Sequence, residues 1–286
     1  MPGSVLSRFG VEPPQRLDGL LAWAESEGWT LRSPADRRGL MPLLLPVAER
    51  DGEVLGLLRW PTPERGMSAP VVRSPGWQVH LVAPDVDTFL RRALVERDAA
   101  GWDPAFARML DPDATLYTPG ALTASRLPMA AYLLLHVGLD HDAFAALIDG
   151  HLARGDVQAA LVTGDRVARE SHGFARAIAL RARSLERAGR ADEARDTAHV
   201  ALLAPAWTLG EPFAPFARLA GWRDPITSIS YQRLADDPTK LPADRAAHRL
   251  DQIAVDEGDW DAARAGLAAL YREAGLDQVA ELVAAE

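Results

Sequence analysis

The phrase GDVQAALVTGDRVA, beginning at Gly155, is echoed 34 residues later by GRADEARDTAHVA from Gly189, and again by GDWDAARAGLAAL from Gly258. Each copy carries an alanine five residues past the glycine, at Ala160, Ala194 and Ala263. Twelve residues past it the copies read Val167, Ala201 and Leu270, always apolar. The pattern predicts a helix ending just before the glycine, a tight turn, and a second helix. An alanine at that offset lets two antiparallel helices approach closely, because a larger side chain would hold their axes apart. Such a pair buries only one side and needs a neighbour to cover the other, which is the physical reason to repeat it.

A 34-residue helix–turn–helix unit with alanine at this offset resembles the tetratricopeptide repeat family, over residues 141–286 of the chain. In residues 141–174, Phe144 and Leu147 match the family's large residue and following leucine, and Ala160 its small position. In residues 175–208, Ala182, Leu185 and Ala194 match, with Ile178 at the bulky first position. A third unit, residues 244–277, keeps Leu250, Gly258 and Ala263. Departures are Ile148 and Asp251 at a position where the family has a small residue, and a closing proline absent from the first unit and early, as Pro205, in the second. Residues 211–243 fill one period without the signature, as a degenerate repeat or an insertion.

The resemblance implies a curved all-α array whose concave face, built from the first helix of each pair, holds an extended or helical peptide. By that implication the partner-facing residues include Asp149 and Leu152 in the first unit, and Arg176, Ala179, Arg183 and Arg187 in the second. The three arginines follow at intervals of seven and four, one helical face, and Ala179 would open room between them. Flat guanidinium forks suit carboxylates, so the partner expected is a protein or peptide of acidic character. The Lys/Asn arrangement by which chaperone-binding members of the family grip a C-terminal carboxylate has no counterpart here.

The first hundred residues read differently. LDGLLAWAESEGW sets Leu17, Leu20, Leu21 and Ala24 on one helical face, with Gly28 as a stop. In MPLLLPVAERDGEVLGLLRWP two apolar runs flank Asp51-Gly52, a dipeptide that tolerates positive φ in a two-residue hairpin turn, with Arg50 and Glu53 placed to pair across it. In WQVHLV, Trp77, Val79 and Leu81 alternate with Gln78 and His80, which predicts a strand with one covered and one wet face. Asp85 reads as the N-cap of a helix bearing Val86, Phe89, Leu90, Ala93 and Leu94.

The fold class expected is therefore α+β. A small N-terminal domain over residues 1–101 would hold an antiparallel sheet of three or four strands. A linker with a short helix follows at residues 102–127, and an all-α helical-hairpin array at residues 128–286. PMAAYLLLHVG, from Pro128, predicts a very apolar helix packed on several sides.

Composition narrows the function. The net charge of −9, with acids spread along the chain, works against phosphate backbones, so nucleic acid is not an expected partner. The chain has no cysteine, which removes disulfides and thiolate chemistry. The N-terminus lacks signal and transit patterns and no apolar run reaches the ~20 residues of a membrane span, so a cytoplasmic protein without membrane insertion is expected. Lys240 is the sole lysine, as in a GC-rich coding sequence. Phosphate loops, nucleophile elbows and metal-ligand helices are missing, so no catalytic residue, cofactor or metal is assigned. His136 and His141 read as a helix end and a helix start, and the acids of DEARD and DEGDWD as helix caps.

The leading reading is a non-enzymatic interaction or assembly protein. The alternative is an enzyme or small-ligand binder with a site between sheet and array, drawing on Arg59, Arg73, His80 and Asp103.

Overall fold

The computed structural model describes residues 2–61, 69–171, 173–222 and 228–285. Helices α1 (Pro2–Arg8) and α2 (Leu17–Ser26) precede a five-stranded antiparallel meander in the order β1-β2-β3-β4-β5. Its strands are β1 (Thr30–Leu31), β2 (Leu44–Arg50), β3 (Glu53–Leu58), β4 (Val71–Ser74) and β5 (His80–Ala83). The fold class is α+β, with a helical array following the sheet.

β2 and β3 meet at Asp51 and Gly52, whose φ angles of 52° and 81° make the two-residue turn that the dipeptide implies. Arg50 and Glu53 are Cα partners across it but form no ion pair among the described residues. The Arg50 guanidinium lies 4.7 Å from the centre of the Trp29 ring instead, and Glu53 stands 3.7 Å from Arg73.

The sheet is covered on both faces, which corrects the expectation of a wet one. Leu45, Leu55, Leu57, Val71 and Val82 join the core formed with α2 and α3 (Val86–Ala100). Leu44, Val54, Leu58, Val72, Val79 and Leu81 join a second core with Phe174, Trp207, Phe216 and Tyr271 of the array. Alternate side chains of one strand thus serve two cores, and unbroken apolar runs such as Leu43–Leu45 are what this burial requires. Trp60 bridges the parts, edge-on to Phe174 with centres 5.3 Å apart and tilted against Trp207 at 5.4 Å. The backbone N–H of Val79 donates to the carbonyl of Trp207 at 2.9 Å, so sheet and array share a hydrogen bond.

Asp85 caps α3 as expected, accepting from the Thr88 N–H. α4 (Pro104–Leu110) and α5 (Ala121–Ser125) follow, and the segment read as a linker is tied down. The Tyr117 hydroxyl donates to Asp98 at 2.6 Å and accepts from the Leu122 N–H at 2.9 Å. α6 (Met129–His136) departs from expectation: Leu133 is buried, but Met129 and Leu135 are 41% and 58% exposed. Its apolar character does not translate into burial because only one side of it meets a neighbour.

The repeat phrases are helical hairpins. α7 (His141–Ala153) turns at Gly155 into α8 (Val157–Glu170), and α9 (Ala175–Arg187) turns at Gly189 into α10 (Ala191–Ala201). Ala160 and Ala194 are fully buried. Residues 206–236 hold a 3-10 turn (Ala206–Thr208), α11 (Phe213–Leu219) and α12 (Ser228–Asp236). α13 (Pro242–Val255), α14 (Trp260–Glu273) and α15 (Asp277–Ala284) complete the chain. In this third hairpin Ala263 is half-buried and its neighbour Arg264 is buried instead.

Candidate functional site

α7 and α9 lie side by side, linked by two ion pairs, Asp142 with Arg176 and Asp149 with Arg187. The pairs follow the same order along both helices, so the helices run parallel, as the first helices of successive hairpins must. Near the C-terminal end of α9, Arg183 donates to Glu186 at 3.0 Å and to Glu211 at 2.6 Å, and its guanidinium stands 5.5 Å from the Phe216 ring centre. Those carboxylates hold Arg183 above its ordinary pKa, with Glu211 the largest contributor and burial opposing.

The six residues expected on this face divide. Asp149 and Arg187 are exposed, and Arg183 and Leu152 are half-buried. Arg176 is turned inward, its side chain 16% exposed, because it also bonds His80. Ala179 is 1% exposed and packs into the core shared with the sheet, which removes it from any partner contact. α9 sits where the two cores meet, so its small residues serve close packing and do not open a groove.

At the N-terminal ends of α7 and α9 a polar cluster seals the junction with the sheet. Arg73 reaches Asp142 at 2.7 Å, Arg176 bonds the other oxygen of Asp142, and the Arg176 Nη1 donates to His80 Nδ1 at 2.9 Å. Burial works to raise the Asp142 carboxyl, but Arg176 and Arg73 more than offset it and hold its pKa below the ordinary value. His80 is pushed down to about 4, first by burial and then by Arg176. His141 is buried beside it, pushed down to about 3 by burial and then Arg176, and neither ring nitrogen has a hydrogen-bond partner among the described residues. Two of the four residues considered for an enzyme site thus converge here. Arg59 donates to the Trp60 carbonyl elsewhere, and Asp103 caps α4 through the N–H groups of Ala105 and Phe106. Neither Asp142 nor Glu211 carries a sequence signature for this role. Asp142 reads locally as an ordinary first-turn acid, and Glu211 lies in the stretch without signature.

No group of three or more His, Cys, Asp or Glu able to hold a metal occurs among the described residues. His136 packs against Tyr132 with ring centres 4.7 Å apart. Asp259 caps α14, in keeping with the capping role read for the acid-rich turn. No helix among the described residues is long and apolar enough to cross a membrane.

Three family models match successive parts of the chain: PAB N-terminal over residues 8–136, PAB middle domain over residues 141–223, and PAB C-terminal domain over residues 237–286. The chain is also 34% identical over 288 residues to an Arabidopsis thaliana protein named Protein IN CHLOROPLAST ATPASE BIOGENESIS, chloroplastic. That match covers 96% of this chain and 87% of the relative. No solved structure matches it. The cytoplasmic expectation is corrected by this relative, which is chloroplastic by name. The lack of a signal or transit pattern and of a long apolar run, on which the expectation rested, does not single out one compartment.

Proposed function

This chain belongs to the PAB family, and on that premise we propose that it is a non-enzymatic assembly factor in the biogenesis of an ATPase. The observation that carries the reading is the extent of the likeness. It runs through all three family segments and nearly end to end along a relative named for ATPase biogenesis. A protein of this kind would hold a subunit that has not yet met its neighbours.

We place the holding surface on α7 and α9, used as the first helices of tetratricopeptide-like units. Asp149 and Arg187 form an ion pair there with side chains 62% and 49% exposed. An exposed pair of this kind contributes only about 0–1 kcal/mol, so a partner's acidic group can replace Asp149 on Arg187 at little cost. Leu152, one turn beyond Asp149, supplies apolar contact beside it. The test is co-purification of ATPase subunits with the intact protein, comparing wild type with Arg187→Glu at low and high salt. The reading expects subunit recovery to fall with both changes; recovery indifferent to both removes this face from the account.

A further inference from the structure

Where α14 passes residues 37–40 and the end of α15, an open cavity of about 560 Å³ forms. It is lined by Arg38, Arg264 and Arg272, with Asp261 the one carboxylate among its lining residues and Ala265 and Ala268 between them. Residues 261, 265, 268 and 272 follow at intervals of four, three and four, so one face of α14 makes the wall. The volume falls within the roughly 300–1,000 Å³ of pockets that hold a ligand.

The charge behind this wall is unusual for a chain with a net charge of −9. Arg37 is fully buried, and its guanidinium donates to the backbone carbonyls of Leu44, Pro42 and Leu282. Arg264, 5% exposed, donates to the carbonyls of Arg37, Leu40 and Val283, and to Asp261 at 2.8 Å. Carbonyl oxygens satisfy the donors but do not cancel the charge. Asp261, which also accepts from the Gly39 N–H, is the acid that faces both guanidiniums. Arg272 is exposed at the outer end of the wall and forms no ion pair among the described residues. Positive charge is thus fixed beneath the cavity and available at its mouth, while Ala265 leaves room for a side chain to lie flat.

We infer that this cavity docks an acidic segment of a partner protein, a carboxylate meeting Arg272 and the adjoining aliphatic part resting on Ala265. The segment's source, a partner held during assembly, rests on the function proposed above. The site's chemistry does not. Binding of an acidic peptide is assigned to this cavity by substitutions on its own wall.

The test uses the intact protein and a fluorescein-labelled hexaglutamate peptide, read by fluorescence anisotropy. Arg272→Glu reverses the exposed charge, and Ala265→Phe fills the wall without changing charge; both positions are exposed, so both variants should fold. Each should weaken binding by about tenfold or more, and added salt should weaken the wild type further. Arg169→Glu, an exposed charge reversal on α8 away from the cavity, should leave peptide binding unchanged. The proposal is overturned if the wild type does not bind the peptide, if both variants bind it as the wild type does, or if excess inorganic phosphate displaces it fully at matched ionic strength. Peptide binding without any effect of the chain on ATPase assembly removes the assembly reading and leaves the site. Assembly that needs the chain while the peptide is ignored removes the site alone.

Discussion

Arg176 Nη1 stands 2.9 Å from His80 Nδ1, and since a guanidinium can only donate, Nδ1 must be the unprotonated nitrogen. The imidazole proton therefore sits on Nε2, which faces Gln78 Oε1 at 3.4 Å. His80 is neutral in the folded protein first because it is buried, and then because a second proton would point at a cation. His141, buried beyond Asp142, is neutral for lack of solvent.

Acid should therefore destabilise the fold well above the pH at which most carboxylates titrate. Both histidines have pKa values lowered on folding, to about 4 and about 3 from an ordinary 6.5. Between those values the unfolded chain binds protons that the folded chain refuses. Their contribution is complete above pH 6.5 and is lost progressively as pH falls toward 4 and 3. At pH 5 each should cost about 2 kcal/mol relative to neutral pH, at about 1.4 kcal/mol per unit. Urea denaturation at neutral pH and at pH 5 measures this, and His141→Phe should remove about half of the difference. An unchanged difference in that variant would mean that other groups govern the acid response.

The hairpin alanines give a second expectation. Ala160 and Ala194 are fully buried, and leucine at either would force its helices apart. Thermal unfolding of Ala194→Leu should show a loss of about 1–3 kcal/mol. The same change at Ala263, which is half-buried, should cost less. Equal losses at the two positions would contradict the difference in packing.

Gly56 carries a third. It lies across from Pro46 where the register of β2 and β3 shifts, and a Cβ there would come within 2.5 Å of the Leu45 carbonyl oxygen. Backbone cannot step aside as a side chain can. Gly56→Ala should destabilise the protein by roughly 1–3 kcal/mol, whereas Gly28→Ala, with no atom in the way, should suffer only from its φ of 78°. Comparable melting temperatures for Gly56→Ala and wild type would show that the sheet can shift to accept a methyl.

Arg37 supplies a fourth. Replacing it with leucine would leave the carbonyls of Pro42, Leu44 and Leu282 without their donor, inside the protein. The expected loss is about 3 kcal/mol or more in urea denaturation. Because Leu282 belongs to α15, hydrogen exchange in the last helix should rise more than in α2. Uniform exchange would show that the clamp between residues 37–42 and the C-terminus is not specific.

What was legible in the sequence is what local rules decide. Asp51-Gly52 announces its turn because few residue pairs accept positive φ twice, and Asp85 announces a helix because its side chain can meet an N–H three residues on. Ala160 and Ala194 announce close-packed hairpins for the same kind of reason. What was not legible depends on residues far apart. Leu44 and Leu45 are equally apolar, and nothing local says that one meets Phe174 and Trp207 while the other meets α2 and α3. The alternation of Gln78 and His80 resembles a wet strand because polar contacts with the array, Gln78 to the Glu211 carbonyl and His80 to Arg176 of α9, use the same residue types as water does. Arg176 reads as surface until Asp142 and His80 draw it inward, and Ala179 reads as an open groove until its burial is known. Arg37 gives no local sign at all, since an arginine beside Asp36 in a turn is ordinarily exposed.

The central claim, that the chain assists ATPase assembly by holding a protein partner on α7 and α9, is tested most directly in cells that lack it. Assembled ATPase would be measured on native gels after complementation with wild type or with Arg187→Glu. The account predicts that assembled complex falls in the deletion, with subunits left unassembled, and that wild type restores it while a stably folded Arg187→Glu protein does not. Assembled ATPase at the normal level in the deletion, or full restoration by Arg187→Glu, would contradict it.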